Sequence, residues 1–103
     1  MTKEYSLLAR LAAPHYNPRR NTFSLKIRCA DDKERAWICS HILDWGFPKP
    51  AVIFTGEACY LQTVGADHDV FEKAKELLPY LPSSRKAATW KRELDAYASR
   101  NPR

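Results

Sequence analysis

Thr22-Phe23-Ser24-Leu25-Lys26-Ile27-Arg28-Cys29 alternates without a fault. Phe23, Leu25, Ile27 and Cys29 fall on one side of an extended chain, and Thr22, Ser24, Lys26 and Arg28 on the other, because successive strand side chains point to opposite faces. A period of two predicts a half-buried strand of an antiparallel sheet, with the apolar side inward and the polar, basic side open. On that open side Ser24, Lys26 and Arg28 stand in a row, about 6–7 Å apart.

Upstream, Pro14–Asn21 (PHYNPRRN) reads as a turn by composition, with Arg19 and Arg20 at its tip. Before it, Tyr5, Leu7, Ala9 and Leu11 occupy odd positions with Arg10 opposite, which predicts a strand over residues 5–13 paired to 22–29. Leu7, Leu8, Leu11 and Ala12 also form a short helical stripe, so the period-two reading is the favoured one of two. Paired as a strand, this segment would bring Arg10 to the open basic face.

Downstream, Asp31 and Glu34 have the spacing of a capping box. The helix they open carries Trp37, Ile38, Ile42 and Trp45, and Gly46 supplies its left-handed end before Pro48 and Pro50. Ala51–Thr55 and Cys59–Val64 read as a hairpin around Gly56. Asp69 with Glu72 repeats the capping-box spacing ahead of Phe71, Ala74, Leu78 and Leu81, and Pro79 ends or kinks that helix. Ser83 or Ser84 caps a last helix with Ala87, Trp90, Leu94 and Tyr97 on one face. The expected order is strand, strand, helix, strand, strand, helix, helix. That is an α+β chain with an antiparallel four-stranded sheet (ββαββα plus a C-terminal helix) and helices on one face.

The chain has 103 residues, 45% of them apolar and 28% charged. This length supports one domain, residues 1–103. The twelve aromatic residues are too many for a disordered chain. No apolar run approaches the ~18 residues of a membrane span, and Glu4 and Arg10 interrupt the stretch a signal peptide would need. Cys29, Cys39 and Cys59 are too widely spaced for a zinc site or a disulfide framework, so reduced thiols and an intracellular location are expected. His15, His41 and His68 are equally scattered. Neither a metal nor a cofactor is implied.

Charge is uneven. Residues 1–28 hold six basic groups and one acid, residues 29–84 five and nine, and residues 85–103 six and two, within a net charge of +5. Both ends are basic, which points to a phosphate-rich partner. No G-x-S-x-G, P-loop, G-x-G-x-x-G or H-E-x-x-H occurs, so no catalytic residues are assigned. Asp31 and Asp32 could hold Mg²⁺, but helix capping accounts for Asp31 better. What remains is the open face of residues 22–29. A twisted antiparallel ribbon fits the DNA major groove, where Arg and Lys reach guanine edges and Ser or Thr bonds base or phosphate. The competing reading is an ordinary solvated sheet face.

FSLKIRCADDKERAWICSHILDWGF (23–47), ACYLQTV (58–64) and DVFEKAKELLPYLPSSRKAATW (69–90) together resemble the LAGLIDADG homing endonuclease family, over roughly residues 22–95. Leu77-Leu78-Pro79-Tyr80-Leu81 and Arg85-Lys86 stand where that family has a Leu-x-Pro-Tyr/Phe-Leu phrase and a basic start to its final helix. The family's namesake helix, whose last acid binds the catalytic metal, should precede the first strand. Here LLARLAAPHYNPRRN has no acid between Glu4 and Asp31 and reads as a strand and turn with that helix deleted. Pro82, Ser83 and Ser84 also replace the usual basic residue before the final helix.

The resemblance implies a curved antiparallel sheet lying on double-stranded DNA, helices behind it, and reading by outward strand residues without catalysis. Thr22, Ser24, Lys26 and Arg28 carry over. In the second hairpin either Tyr60 and Gln62, or Cys59, Leu61 and Thr63, face outward, with Lys49 near its start. The expected nucleic-acid-binding residues are therefore Arg10, Arg19, Arg20, Thr22, Ser24, Lys26, Arg28, Lys49 and Gln62, and a homodimer on a palindrome is implied. Alternatives are an RNA-binding or maturase-like module, a residual nuclease using Asp31 or Asp32, and a phage-type inhibitor of an acidic protein.

Overall fold

The computed structural model describes the backbone of residues 2–47, 50–55 and 58–102 and the side chains of 5–47 and 60–102. Its elements are α1 (Thr2–Leu11), β1 (Ala12–Asn17), β2 (Thr22–Cys29), α2 (Asp32–His41), β3 (Pro50–Thr55), β4 (Ala58–Thr63), α3 (Asp67–Glu76), a 3-10 turn (Leu78–Tyr80) and α4 (Ser84–Arg100). All strand pairs are antiparallel, in the spatial order β1-β2-β4-β3. The chain is therefore α+β, with an antiparallel sheet and four helices.

The expected strand over residues 5–13 is corrected: this stretch is mostly α1. The helix prevails because Leu8 and Ala9 can then be buried together, beside Ala12 at the start of β1, and Leu-Leu-Ala-Arg-Leu is made of strong helix formers. A helix thus stands before the first strand, where the sequence suggested that one had been deleted. The partner of β2 comes instead from the segment read as a turn. In β1, Ala12, Pro14 and Tyr16 point inward while Ala13 and His15 are exposed. Proline is tolerated there because β1 is an edge strand.

That edge is covered rather than left open. Glu93 of α4 accepts the Tyr16 N–H through Oε2 (3.1 Å), and just ahead of the strand Lys86 Nζ donates to the Arg10 carbonyl in the last turn of α1 at 2.6 Å. Side-chain acceptors also stand in where β4 leaves β2: Thr63 Oγ1 takes the Leu25 N–H (2.9 Å) and Asp67 Oδ1 the Phe23 N–H (3.2 Å). Unpaired strand edges are templates for aggregation, so these bonds settle both a polar requirement and a risk.

Caps fall largely where the spacing puts them. Asp31 Oδ1 accepts the Glu34 N–H (2.8 Å), and Ser83 Oγ accepts that of Lys86 (3.2 Å). Glu34 reaches back to the Ala30 N–H at 2.8 Å. The helical path beyond α2 tightens to i→i−3 bonds and closes as a Schellman motif, with Gly46 N–H on the Leu43 carbonyl and Phe47 N–H on that of Ile42. Gly46 has φ +86°, so its conformation favours glycine; a Cβ there would meet only the flexible end of Lys73, at 2.7 Å from Cε. Asp69 does not cap α3: that helix begins two residues earlier, after Ala66 in a left-handed conformation, and Asp69 sits in its first turn.

The inward sides of β1, β2 and β4 and one face of each helix share a single core. At its centre Phe23 meets Phe71 edge-on (5.7 Å), Phe71 meets Tyr97 (4.8 Å), and Tyr97 meets Tyr16 (5.9 Å). This chain of rings locks α3 and α4 beneath β1 and β2.

α1 is tied on its other flank by Tyr5, which packs edge-on against Tyr80 (5.6 Å) and donates to Glu76 Oε2 at 3.3 Å. Burial pushes the Tyr5 hydroxyl's pKa up; the Glu76 carboxylate adds to the rise and Lys73 opposes it. An unfolded tyrosine therefore ionises first, and Tyr5's contribution to stability is present below pH ~10 and lost as pH rises through its folded value. Lys86, whose pKa burial lowers, has the opposite sign but is common to both proteins in the comparison that follows. In urea unfolding, the stability advantage of wild type over Tyr5→Phe is expected to shrink as pH rises above ~10 and to stay constant well below it.

Candidate nucleic-acid interface

The side of the sheet opposite the core collects the outward residues of three strands. Cross-strand partners share a face, so Ser24 lies beside His15, Lys26 between Ala13 and Gln62, and Arg28 beside Tyr60. Thr22, Ser24, Lys26 and Arg28 all face outward, with Lys26 and Arg28 exposed and Thr22 and Ser24 half-buried. Of the two options for β4, Tyr60 and Gln62 are outward, while Leu61 and Thr63 are buried. The side chain of Cys59 lies outside the described residues.

Two contacts organise this face. Gln62 Nε2 donates to Ser24 Oγ at 3.3 Å, and Lys26 Nζ lies 4.9 Å from the centre of the Tyr60 ring. The second is a cation–π geometry that holds the ammonium without neutralising it. Ion pairs among the described residues are Arg35–Asp32, Lys73–Glu76 and Lys75–Glu72, all within helices, and His68 lies 3.5 Å from Glu72. Neither Lys26 nor Arg28 faces a carboxylate among the described residues, so the charge of the face is open to an external anion.

Arg19 and Arg20 are exposed in the β1–β2 turn. Asn17 Oδ1 accepts both of their backbone N–H groups (3.0 and 3.3 Å), an Asx arrangement that shapes the turn. Asn21 takes φ +54° and accepts the Tyr16 hydroxyl at 2.8 Å. It also exchanges two amide hydrogen bonds with Asn101 at the end of α4 (3.0 and 2.9 Å). The turn that carries both arginines is thus pinned to the body of the fold.

Arg10 is corrected in its place but not in its company. It sits in the last turn of α1 rather than on a strand, yet it lines one cleft with Arg28. Lys49 lies outside the described residues. His15 was missed, although Pro14-His15-Tyr16 already alternates; proline and asparagine on either side disguised that alternation as a turn.

Asp31 is engaged as a helix cap, and Asp32 pairs with Arg35 (3.7 Å). No group of three or more His, Cys, Asp and Glu converges to hold a metal ion among the described residues. Cys29 is buried, its thiol donating to the Ile27 carbonyl at 3.9 Å, and Cys39 is half-buried. No helix among the described residues is long and apolar enough to cross a membrane. Compared with protein-family models, curated proteins and solved structures, the chain matches none of them.

Proposed function

We propose that the chain is a nucleic-acid-binding protein that grips double-stranded DNA on the open face of its sheet and does not cut it. What carries this reading is the row of Lys26 and Arg28, which face no carboxylate among the described residues, extended by His15 from β1 and by Tyr60 and Gln62 from β4. Guanidinium and ammonium groups can meet phosphates or guanine edges, and the Gln62–Ser24 pair offers amide and hydroxyl groups suited to base edges. Arg19 and Arg20, held at the turn tip, extend the cationic surface beyond the sheet.

The LAGLIDADG resemblance belongs to the same proposal. α1 stands ahead of the first strand pair, where the namesake helix would be, but it ends Arg10-Leu11 and runs into Ala12-Ala13 without a carboxylate. A fold of that family without an acid at this junction suits a binder derived from a nuclease, such as a regulator. One module of this size makes few contacts, so the proposed unit is a homodimer on a palindrome.

Tyr60 favours a second reading, because a half-buried ring on the outward side of a basic sheet can stack against an unpaired base. Competition separates the two. Labelled duplex DNA is expected to be displaced by unlabelled duplex at lower concentration than by structured or single-stranded RNA, and log K should fall linearly with log salt. Preferential displacement by RNA would transfer the function to RNA, and no binding of either at low salt would end it.

A further inference from the structure

We infer that the cleft between the last turn of α1 and the end of β2 is a seat for one backbone phosphate, with Arg10 and Arg28 as its two arms. This rests on the nucleic-acid function proposed above and divides the labour within it. The β1–β2 pairing reaches back only to Ala12 opposite Ile27. Beyond that pair the chain diverges, backwards into α1 and forwards through Cys29 and Ala30 towards α2. The divergence leaves a cleft of about 250 Å³ lined by Arg10, Leu11, Arg28, Cys29 and Ala30. That is smaller than the roughly 300–1,000 Å³ of pockets that enclose drug-sized ligands, and it suits a small group presented from outside.

Among the described residues, the charged residues lining the cleft are the two arginines. Two cations facing one concave space repel each other, and an anion between them removes that cost. Leu11 and the buried Cys29 provide an apolar floor, which strengthens any ion pair made above it. Planar guanidiniums meet phosphate oxygens through paired N–H bonds, a match that favours phosphate over a simple halide. Of the carboxylates next along the chain, Asp31 and Glu34 are turned onto the Glu34 and Ala30 N–H groups, both at 2.8 Å, and Asp32 onto Arg35 at 3.7 Å. Lys86 holds the Arg10 carbonyl at 2.6 Å, which fixes the end of α1.

Arg28 is the last outward residue of β2, so this seat lies at the end of the face. Arg28 accordingly positions the nucleic acid through its backbone, while Ser24, Lys26 and Gln62, further along, are left to meet bases.

Two titrations test this. In the first, inorganic phosphate is added to isotopically labelled protein at constant ionic strength, and the arginine Nε–Hε signals are followed by NMR. Arg10 and Arg28 should move along one saturation curve while Arg19 and Arg20 stay in place, and Arg10→Ala should abolish saturation at Arg28. Equal movement of all four signals, or an unchanged curve for Arg28 in Arg10→Ala, overturns the seat. In the second, a 20-base-pair mixed-sequence duplex is bound across a salt series. Arg10→Ala should lower the slope of log K against log salt by about one and the affinity roughly tenfold at 0.1 M salt, with Arg10→Lys intermediate. An unchanged slope in an Arg10→Ala protein that still binds duplex overturns the seat and leaves the DNA function standing. Phosphate saturation in a protein that binds no duplex supports the two-arginine seat and overturns the DNA function.

Discussion

Lys26→Ala combined with Arg28→Ala is expected to weaken binding to a mixed-sequence duplex by roughly fiftyfold at 0.1 M salt and to lower the slope of log K against log salt by nearly two. Both side chains are exposed on the outward side of β2, and neither has a carboxylate partner among the described residues. Their removal costs the fold little, because surface substitutions away from caps and buried networks stay within about 0.5 kcal/mol. A loss of binding at unchanged melting temperature therefore reports the interface and not unfolding. Lys73→Ala with Lys75→Ala is the matched control. It removes the same number of charges from α3, where both lysines already pair with Glu76 and Glu72, and it should change the slope far less. A slope that is the same in wild type and in the β2 double variant would show that the phosphates are met elsewhere.

How legible this face was depends on which physical signal each element carried. β2 could be read residue by residue, since its buried side is entirely apolar and its open side entirely polar. The α2 cap and the Gly46 stop were equally plain, because capping is decided by one or two local residues, while the cap of the last helix lay between Ser83 and Ser84 and falls at Ser83. α1 was not plain. Its apolar residues satisfy periods of two and of 3.6 together over so short a stretch, and what decides between them is the burial of Leu8, Ala9 and Ala12, a tertiary matter. β1 was hidden for a related reason: Pro14 and Asn17 are turn-forming residues by local preference, and only the edge position allows the proline in a strand. The meeting of Arg10 with Arg28 follows from where α1 ends relative to β2, a distance that no spacing in the sequence encodes.

Trp90→Ala is expected to cost about 3–5 kcal/mol, by loss of buried area and by the cavity left behind. Trp90 is among the largest fully buried side chains, on the inner face of α4 beneath the sheet. Against a total stability of about 5–15 kcal/mol, such a loss lowers the melting temperature of a domain this size by roughly 15–30 °C. Trp90→Phe should behave quite differently. The indole Nε1 is buried with no hydrogen-bond partner, and an unsatisfied buried donor of this kind costs about 1–3 kcal/mol. Phenylalanine keeps most of the ring's contacts and deletes that donor, so the gain from removing it offsets most of the volume lost. The net change is expected to lie within about 1.5 kcal/mol of wild type by urea unfolding. A Trp90→Phe protein nearly as unstable as Trp90→Ala would mean that the lost volume outweighs the donor, and that the core under β1 and β2 cannot close around a smaller ring. Since α4 also supplies Glu93 to β1 and Asn101 to the arginine-bearing turn, loosening Trp90 should reach the interface as well. Trp90→Ala should then bind duplex DNA more weakly even at temperatures where it remains folded, with its salt slope unchanged, because the cations are still present but less firmly held in place.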